Sequence, residues 1–168
     1  VRRAEHRGVT VQMKPYMTDA DYEIFFRMMK ETEERNQGKN VYPSHAYLKS
    51  LFKAIPPSPV GGNLETLSFG IFFGYQYGEP AAAHFVLFFG TTATYLYGAA
   101  FTKYLSSKVT TYLHWAGMEE AKKRGMQFYD LGGIDKARWP TLTDFKLQFR
   151  GDEFRYVGNL DIPLRLAL

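Results

Sequence analysis

Residues 128–158, FYDLGGIDKARWPTLTDFKLQFRGDEFRYVG, set the layout of this chain. Tyr129, Asp130 and Leu131 have the character of the end of a buried strand, and Gly132 and Gly133 let the backbone turn tightly at its carboxyl end. Ligands bind at such places in open α/β sheets. Trp139 and Pro140 follow in a short loop, and from Thr141 a brief amphipathic helix, to about residue 149, carries Phe145, Lys146 and Phe149. Two readings of Lys146 stand: an ammonium partly desolvated and aimed at a reacting group, or a surface lysine whose stem covers apolar area. A last strand is expected over residues 154–157.

Upstream, the alternation from Val9 to Met13 predicts a strand. Thr18 followed by Asp21 is a helix-start signal, and Tyr22, Phe25, Phe26 and Met29 recur at helical spacing, so a helix is expected over about 19–36. Pro43 and Ser44 open a second helix with the apolar stripe Tyr47, Leu48, Leu51, Phe52 and Ile55. Pro56, Pro57 and Pro59 stop it, and residues 56–63 read as a surface loop. Three strand-like runs, 64–75, 81–89 and 93–99, are separated by short turns, so consecutive antiparallel strands are expected. Ser106 or Ser107 caps a third helix bearing Val109, Tyr112, Leu113 and Ala116, and Gly125 ends it behind the basic turn Lys122, Lys123, Arg124. Phe25, Phe26, Leu48, Phe52, Phe69, Phe85, Leu96, Leu113 and Phe128 are the expected core.

A chain of 168 residues fits a single domain, 1–168, with enough core to need no staple. With 17% aromatic residues that core should be built from Phe and Tyr. The absence of cysteine excludes disulfides, zinc–cysteine sites and a thiol nucleophile. His6, His45, His84 and His114 show no metal-binding spacing, and each reads as a surface or hydrogen-bonded interior residue. No serine elbow and no phosphate loop occurs, and no apolar run is long enough for a transmembrane segment. The net charge of +4 favours phosphate-bearing partners only weakly, because the basic residues are dispersed.

The order strand, two helices, three antiparallel strands, helix, strand, helix, strand resembles the GNAT acyltransferase fold: an α/β (α+β) architecture with a mixed, mostly antiparallel sheet flanked by helices. Acetyl-CoA-dependent members carry a glycine-rich [RQ]xxGx[GA] turn whose amides hold pyrophosphate. The corresponding junction here, YLYGAAFTKYLSSKVTTYL, lacks it. The passages YLYGAA, LHWAGMEEAKKRG, FYDLGGI, LTDFKLQF and YVGNLDIPL, in that order, resemble the second GNAT-like domain of the Fem family. ETEERN in the first helix suits that family too.

That resemblance implies an aminoacyltransferase that moves an amino acid from aminoacyl-tRNA to an amine on the stem peptide of a lipid-linked or nucleotide-linked peptidoglycan precursor. It implies no cofactor and no metal. The work would be done in the cytoplasm, at the inner face of the membrane. It also implies a missing N-terminal GNAT-like domain, this chain being the C-terminal half of a two-domain protein; a chain that begins at Val1 rather than Met agrees with an excised piece. Lys146 takes the catalytic role, its ammonium against the reacting carbonyl, with Phe145 beside it. Tyr97 matches a tyrosine that contacts the precursor, and Thr32 and Arg35 match a threonine and a phosphate-binding arginine. The family shows a glycine directly after the second Phe of its FKxxF motif, where this chain has Arg150. Two alternatives stay open: an acyl-CoA-dependent N-acyltransferase, and a non-catalytic RNA-binding or assembly module.

Overall fold

The computed structural model describes residues 1–38, 42–55, 66–155 and 157–158. The expected loop at 56–63, the first residues of the 64–75 run and most of YVGNLDIPL lie outside the described residues. The chain divides into two compact units, Val1–Gly133 and Ile134–Leu168.

The first unit is built on a five-stranded sheet, β1 (Val9–Lys14), β2 (Ser68–Gln76), β3 (Glu79–Phe89), β4 (Thr92–Ala100) and β5 (Phe128–Asp130), in that spatial order. The first four strands are antiparallel and β5 runs parallel to β4, so the sheet is mixed and mostly antiparallel. Tight turns suffice between β2, β3 and β4, whereas the parallel step from β4 to β5 needs a crossover, supplied by helix α4 (Val109–Lys123). A short helix α1 (Arg2–Glu5) precedes the sheet, and α2 (Asp19–Arg35) and α3 (His45–Ala54) lie between β1 and β2.

Helix α2 begins where the sequence signals it. Thr18 accepts from the Asp21 amide, and the Asp21 carboxylate accepts from the Thr18 amide at 3.0 Å, a reciprocal capping box. Ser44 caps α3, and Gly125, at φ +75°, turns the chain out of α4 with amide bonds from Gly125 to Lys122 and from Met126 to Ala121.

The two faces of the sheet carry different cores. Against α2 and α3 lies an aromatic layer in which Phe25 and Phe85 sit 4.6 Å apart and Phe52 stacks on Phe85 at 4.2 Å. Against α4 lies a layer of smaller residues, Ala82, Val86, Ala93 and Ala100 with Phe72, Phe88, Val109 and Leu113. Close approach is secured by Gly74, where a Cβ would come within 2.4 Å of a Val109 methyl. This second face also encloses His84 (β3), Tyr95 (β4), His114 (α4) and Tyr129 (β5). The His84 and His114 rings are 4.4 Å apart, Tyr95 lies 4.8 Å from one and 4.6 Å from the other, and the Tyr129 hydroxyl is 3.2 Å from His114 Nδ1.

A bulge between Phe85 and Val86 of β3 and their β4 partners lets Tyr97 oppose Phe85 while Tyr95 opposes Val86, so Leu96 is the extra residue. It reverses which face successive side chains take. Ala93 and Tyr95 therefore lie with α4, while Tyr97 and Ala99 join the α2 and α3 layer.

Several expectations change. Phe128 is 60% exposed, because β5 is a three-residue edge strand on which only Tyr129 turns toward α4. Phe26, Phe52 and Leu96 are half-buried, and Tyr47 is exposed on α3. No serine caps α4: a 3-10 helix, Thr102–Ser107, fills that junction, and Lys108, at φ +67°, leads into α4 with no side-chain cap. The expected last strand does not form at the described residues 154, 155 and 157, where Phe154 and Val157 are exposed and have no apolar face to dock.

The second unit holds helix α5 (Pro140–Leu147), which starts one residue earlier than the sequence suggests and ends about two earlier, with Pro140 in the first turn, where a missing N–H costs nothing.

Candidate active site

Strand β5 pairs with β4 only at Thr92, Ala93 and Thr94. Beyond Asp130 the chain turns off: the Asp130 carboxylate accepts from the Gly132 amide at 2.7 Å, and Gly132 adopts φ +77°. Strand β4 runs on to Ala100, so from Tyr95 onward its outer edge has no strand partner among the described residues. The two parallel strands thus separate at their carboxyl ends, which is where open α/β sheets receive ligands.

The direction of the free groups on β4 follows from the register. Phe101 donates to the Ala81 carbonyl at 3.0 Å, and the pairs Ala82–Ala100, Ala83–Ala99 and His84–Gly98 step back from it. Bonded and non-bonded pairs alternate in an antiparallel ladder, so Gly98 and Ala100 turn their peptide groups away from β3. Side chains of this chain meet them. The Tyr42 hydroxyl donates to the Gly98 carbonyl at 2.7 Å. Thr32 Oγ1 donates to Met28 and accepts from the Ala100 amide at 3.4 Å and from Arg35 Nη2 at 3.2 Å. Arg35 Nη1 reaches the Ala100 carbonyl at 3.4 Å and Thr102 Oγ1 at 2.9 Å, and Glu31 accepts from the Thr102 amide at 2.9 Å.

Thr32 and Arg35, singled out by resemblance, are therefore brought together on the β4 backbone. Tyr42 and Glu31 complete the same edge, and no local spacing in the sequence points to either. Tyr97 is half-buried in the aromatic layer, and burial, with the Tyr47 phenol nearby, raises its pKa.

The junction from β4 to α4 is closed by the 3-10 helix, whose amides at Tyr104 and Lys108 bond back to Phe101 and Leu105. Ser107 donates its hydroxyl to the Tyr104 carbonyl at 2.6 Å. No glycine run stands there to offer successive free amides to a pyrophosphate.

In the second unit, Asp135 organises the approach to α5. Its carboxylate accepts from the Ala137 and Arg138 amides at 3.0 and 2.9 Å, its amide donates to Thr143 Oγ1 at 3.1 Å, and its carbonyl accepts from the Trp139 amide at 2.7 Å. On α5 the buried residues are Thr143 and Lys146, three apart on one helical face, and Lys146 is only 7% exposed. A cation so removed from water interacts more strongly with a developing negative charge than one on the surface. Phe145 and Phe149 meet edge to face at 5.4 Å on the flank of that helix, and Trp139 is half-buried with the Arg138 guanidinium 4.6 Å above its ring. Arg150 holds φ +55°, the left-handed conformation that a glycine adopts without steric cost. Among the described residues no group of three or more His, Cys, Asp or Glu could hold a metal ion, and no helix is long and apolar enough to cross a membrane.

A mixed sheet whose one parallel pair among the described residues splays apart, with a crossover helix beside the split, is the fold of the GNAT acyltransferases. Residues 1–147 match the family described as acetyltransferase (GNAT) domain, and the chain belongs to that family of acyltransferase enzymes. No curated protein matches it. Among solved structures, an aminoglycoside acetyltransferase from an uncultured soil metagenomic sample, in complex with sisomicin, superposes with a TM-score of 0.58 at 14% identity, over 95% of this chain and 99% of that one. A transcriptional regulator from Bacillus halodurans gives 0.62 at 18% identity, over 92% and 99%. FemX gives 0.64 at 16% identity, over 80% of this chain and 46% of that one. At such identities these likenesses carry the fold alone.

Proposed function

We propose that this domain transfers an aminoacyl group from charged tRNA to an amine on a peptidoglycan stem peptide, with Lys146 stabilising the oxyanion that forms as the ester carbonyl is attacked. The observation that carries the reading is the capped edge of β4. An acyl carrier with an extended amide-bearing arm would pair with that edge as an added strand. Here Tyr42, Thr32 and Arg35 already bond the outward groups of Gly98 and Ala100, and the junction to α4 has no glycine turn. A tRNA ester carries no such arm and does not need the edge. The buried ammonium of Lys146 supports the same reading, as does the fold shared with FemX, which is about twice as long as the part matched here.

In this reading the acceptor amine attacks the ester carbonyl, the C–N bond forms, the ribose oxygen leaves with a proton, and Lys146 offsets the charge on the carbonyl oxygen in between. Tyr97 contacts the precursor. The partners are aminoacyl-tRNA, a lipid-linked or nucleotide-linked precursor, and a further GNAT-like domain. The reaction takes place in the cytoplasm at the inner face of the membrane.

Replacement of Lys146 by Met keeps most of the stem and removes the charge. We expect turnover with charged tRNA and precursor, in the protein that includes the further domain, to fall by about 10²–10³, as when one oxyanion donor is deleted. Wild-type turnover in that variant would end the proposal. A second reading, transfer from acyl-CoA, is favoured by the start of α4, where no side chain caps the first amides. Calorimetric titration with acetyl-CoA separates the two: no binding is expected, and micromolar binding would favour the second.

A further inference from the structure

The place where β4 and β5 stop pairing is spanned from below by one side chain of α4. Tyr95 is the first β4 residue beyond the last pair, Thr94–Asp130, and Tyr129 stands one residue before that pair's end on β5. Both rings converge on His114. Its ring centroid is 4.6 Å from that of Tyr95 and 6.1 Å from that of Tyr129, and its Nδ1 lies 3.2 Å from the Tyr129 hydroxyl. Two glycines make the arrangement possible. A Cβ on Gly98 would lie 2.2 Å from the Tyr95 hydroxyl, and one on Gly117 would lie 2.9 Å from the Tyr129 hydroxyl. Without side chains there, both phenols fold under the strands rather than out to solvent.

We propose that His114 is a positioning residue for acyl transfer: by tying Tyr95 of β4 to Tyr129 of β5 beneath the point of separation, it fixes the width of the opening between the strands. The assignment of that opening to the reaction rests on the proposed function; the tie itself does not. A three-residue parallel strand has few ladder bonds with which to hold its own place, so a side-chain tie of this kind has leverage. Among the described residues His84 from β3, Tyr95 from β4 and Tyr129 from β5 pack against His114. His84 is buried, and its Nδ1 has no hydrogen-bond partner among the described residues.

Amide hydrogen exchange on the whole chain, without substrate, tests the tie independently of any assigned activity. Tyr129→Phe deletes one hydroxyl and should leave the fold intact. We expect exchange at Tyr129, Asp130 and Gly132 to rise about tenfold, with the β1–β2 ladder unchanged. His114→Phe should do the same, the double variant should add nothing further, and His114→Asn, which restores a polar partner for the Tyr129 hydroxyl, should recover part of the protection. Wild-type exchange at these amides in Tyr129→Phe, or a rise spread evenly over the sheet, would overturn the proposal. A failed Lys146 test with a positive exchange result would instead remove the assigned reaction and leave the tie.

Discussion

One sheet serves two unlike layers. Toward α2 and α3 the contacts are ring on ring, Phe25, Phe52 and Phe85 among them, with buried polar groups confined to its margins, such as Asp21 and Thr32 of α2. Toward α4 the packing is of small residues, and two histidines and two tyrosines are enclosed beside the β4–β5 split. The first layer holds the strands together with area and ring geometry, which solution conditions alter little. The second holds them with groups that titrate, with glycines, and with one close helix approach, so it answers to pH and to single methyl groups. The side of the sheet that borders the opening is thus the conditional side.

Deleting a ring from the apolar layer should have the largest effect. Phe85→Ala empties the centre of the stack and should cost about 3–5 kcal/mol in chemical denaturation. A loss below about 1 kcal/mol would show that this layer is not the stronger one. On the other face Gly98→Ala places a methyl against the Tyr95 hydroxyl and the His84 ring, and an overpacking cost of about 1–3 kcal/mol is expected in the same measurement. Full stability of Gly98→Ala would mean that the cluster can move aside.

Acid sharpens the contrast without a mutation. Burial, and then the nearby His114, holds the His84 pKa well below its ordinary 6.5. The folded protein therefore binds fewer protons than the unfolded chain, so stability is fully present above about pH 6.5 and is lost as pH falls from there toward the folded pKa. Denaturation midpoints compared at pH 7.5 and pH 5.5 should show the drop, and His84→Phe should abolish much of it. An equal drop in that variant would place the effect elsewhere. The smallest effect is expected of Thr32→Val, which keeps shape but withdraws the hydroxyl from the β4 edge, at about 1 kcal/mol.

What the sequence revealed divides along similar lines. Local signals were readable: Thr18 with Asp21, Ser44, and Gly125 all act as caps or stops within four residues of themselves. The alternation of the strands was readable as well, but not its reversal at Leu96, because a bulge leaves no mark in composition while it sends Tyr95 and Tyr97 to opposite faces. Phe128 misled because a strand's apolar character does not say whether it lies at the centre or the edge. His84 and His114 lie thirty residues apart and meet only across the sheet, so each looked ordinary alone. Thr32 and Arg35 stood out by resemblance, yet their bonds to Ala100 and Thr102 could not be inferred from any spacing. The burial of Lys146 was half legible in its apolar neighbours, whereas the Asp135 turn that bonds Thr143 on the same helical face carries no strong pattern.

The capped edge of β4 also bears on how the chain stays out of trouble while it is being made. A strand whose outward peptide groups are unpaired is a template for any other extended chain, and aggregation starts at such edges. Tyr42, Thr32 and Arg35 are synthesised before β4, so α2 is complete when Gly98 and Ala100 emerge. If those side chains engage as soon as β4 joins the sheet, the interval in which a neighbouring chain can add to it is short. Shortening that interval protects yield at high expression, and variants that weaken the caps should reveal themselves first as insoluble protein rather than as a lowered melting point.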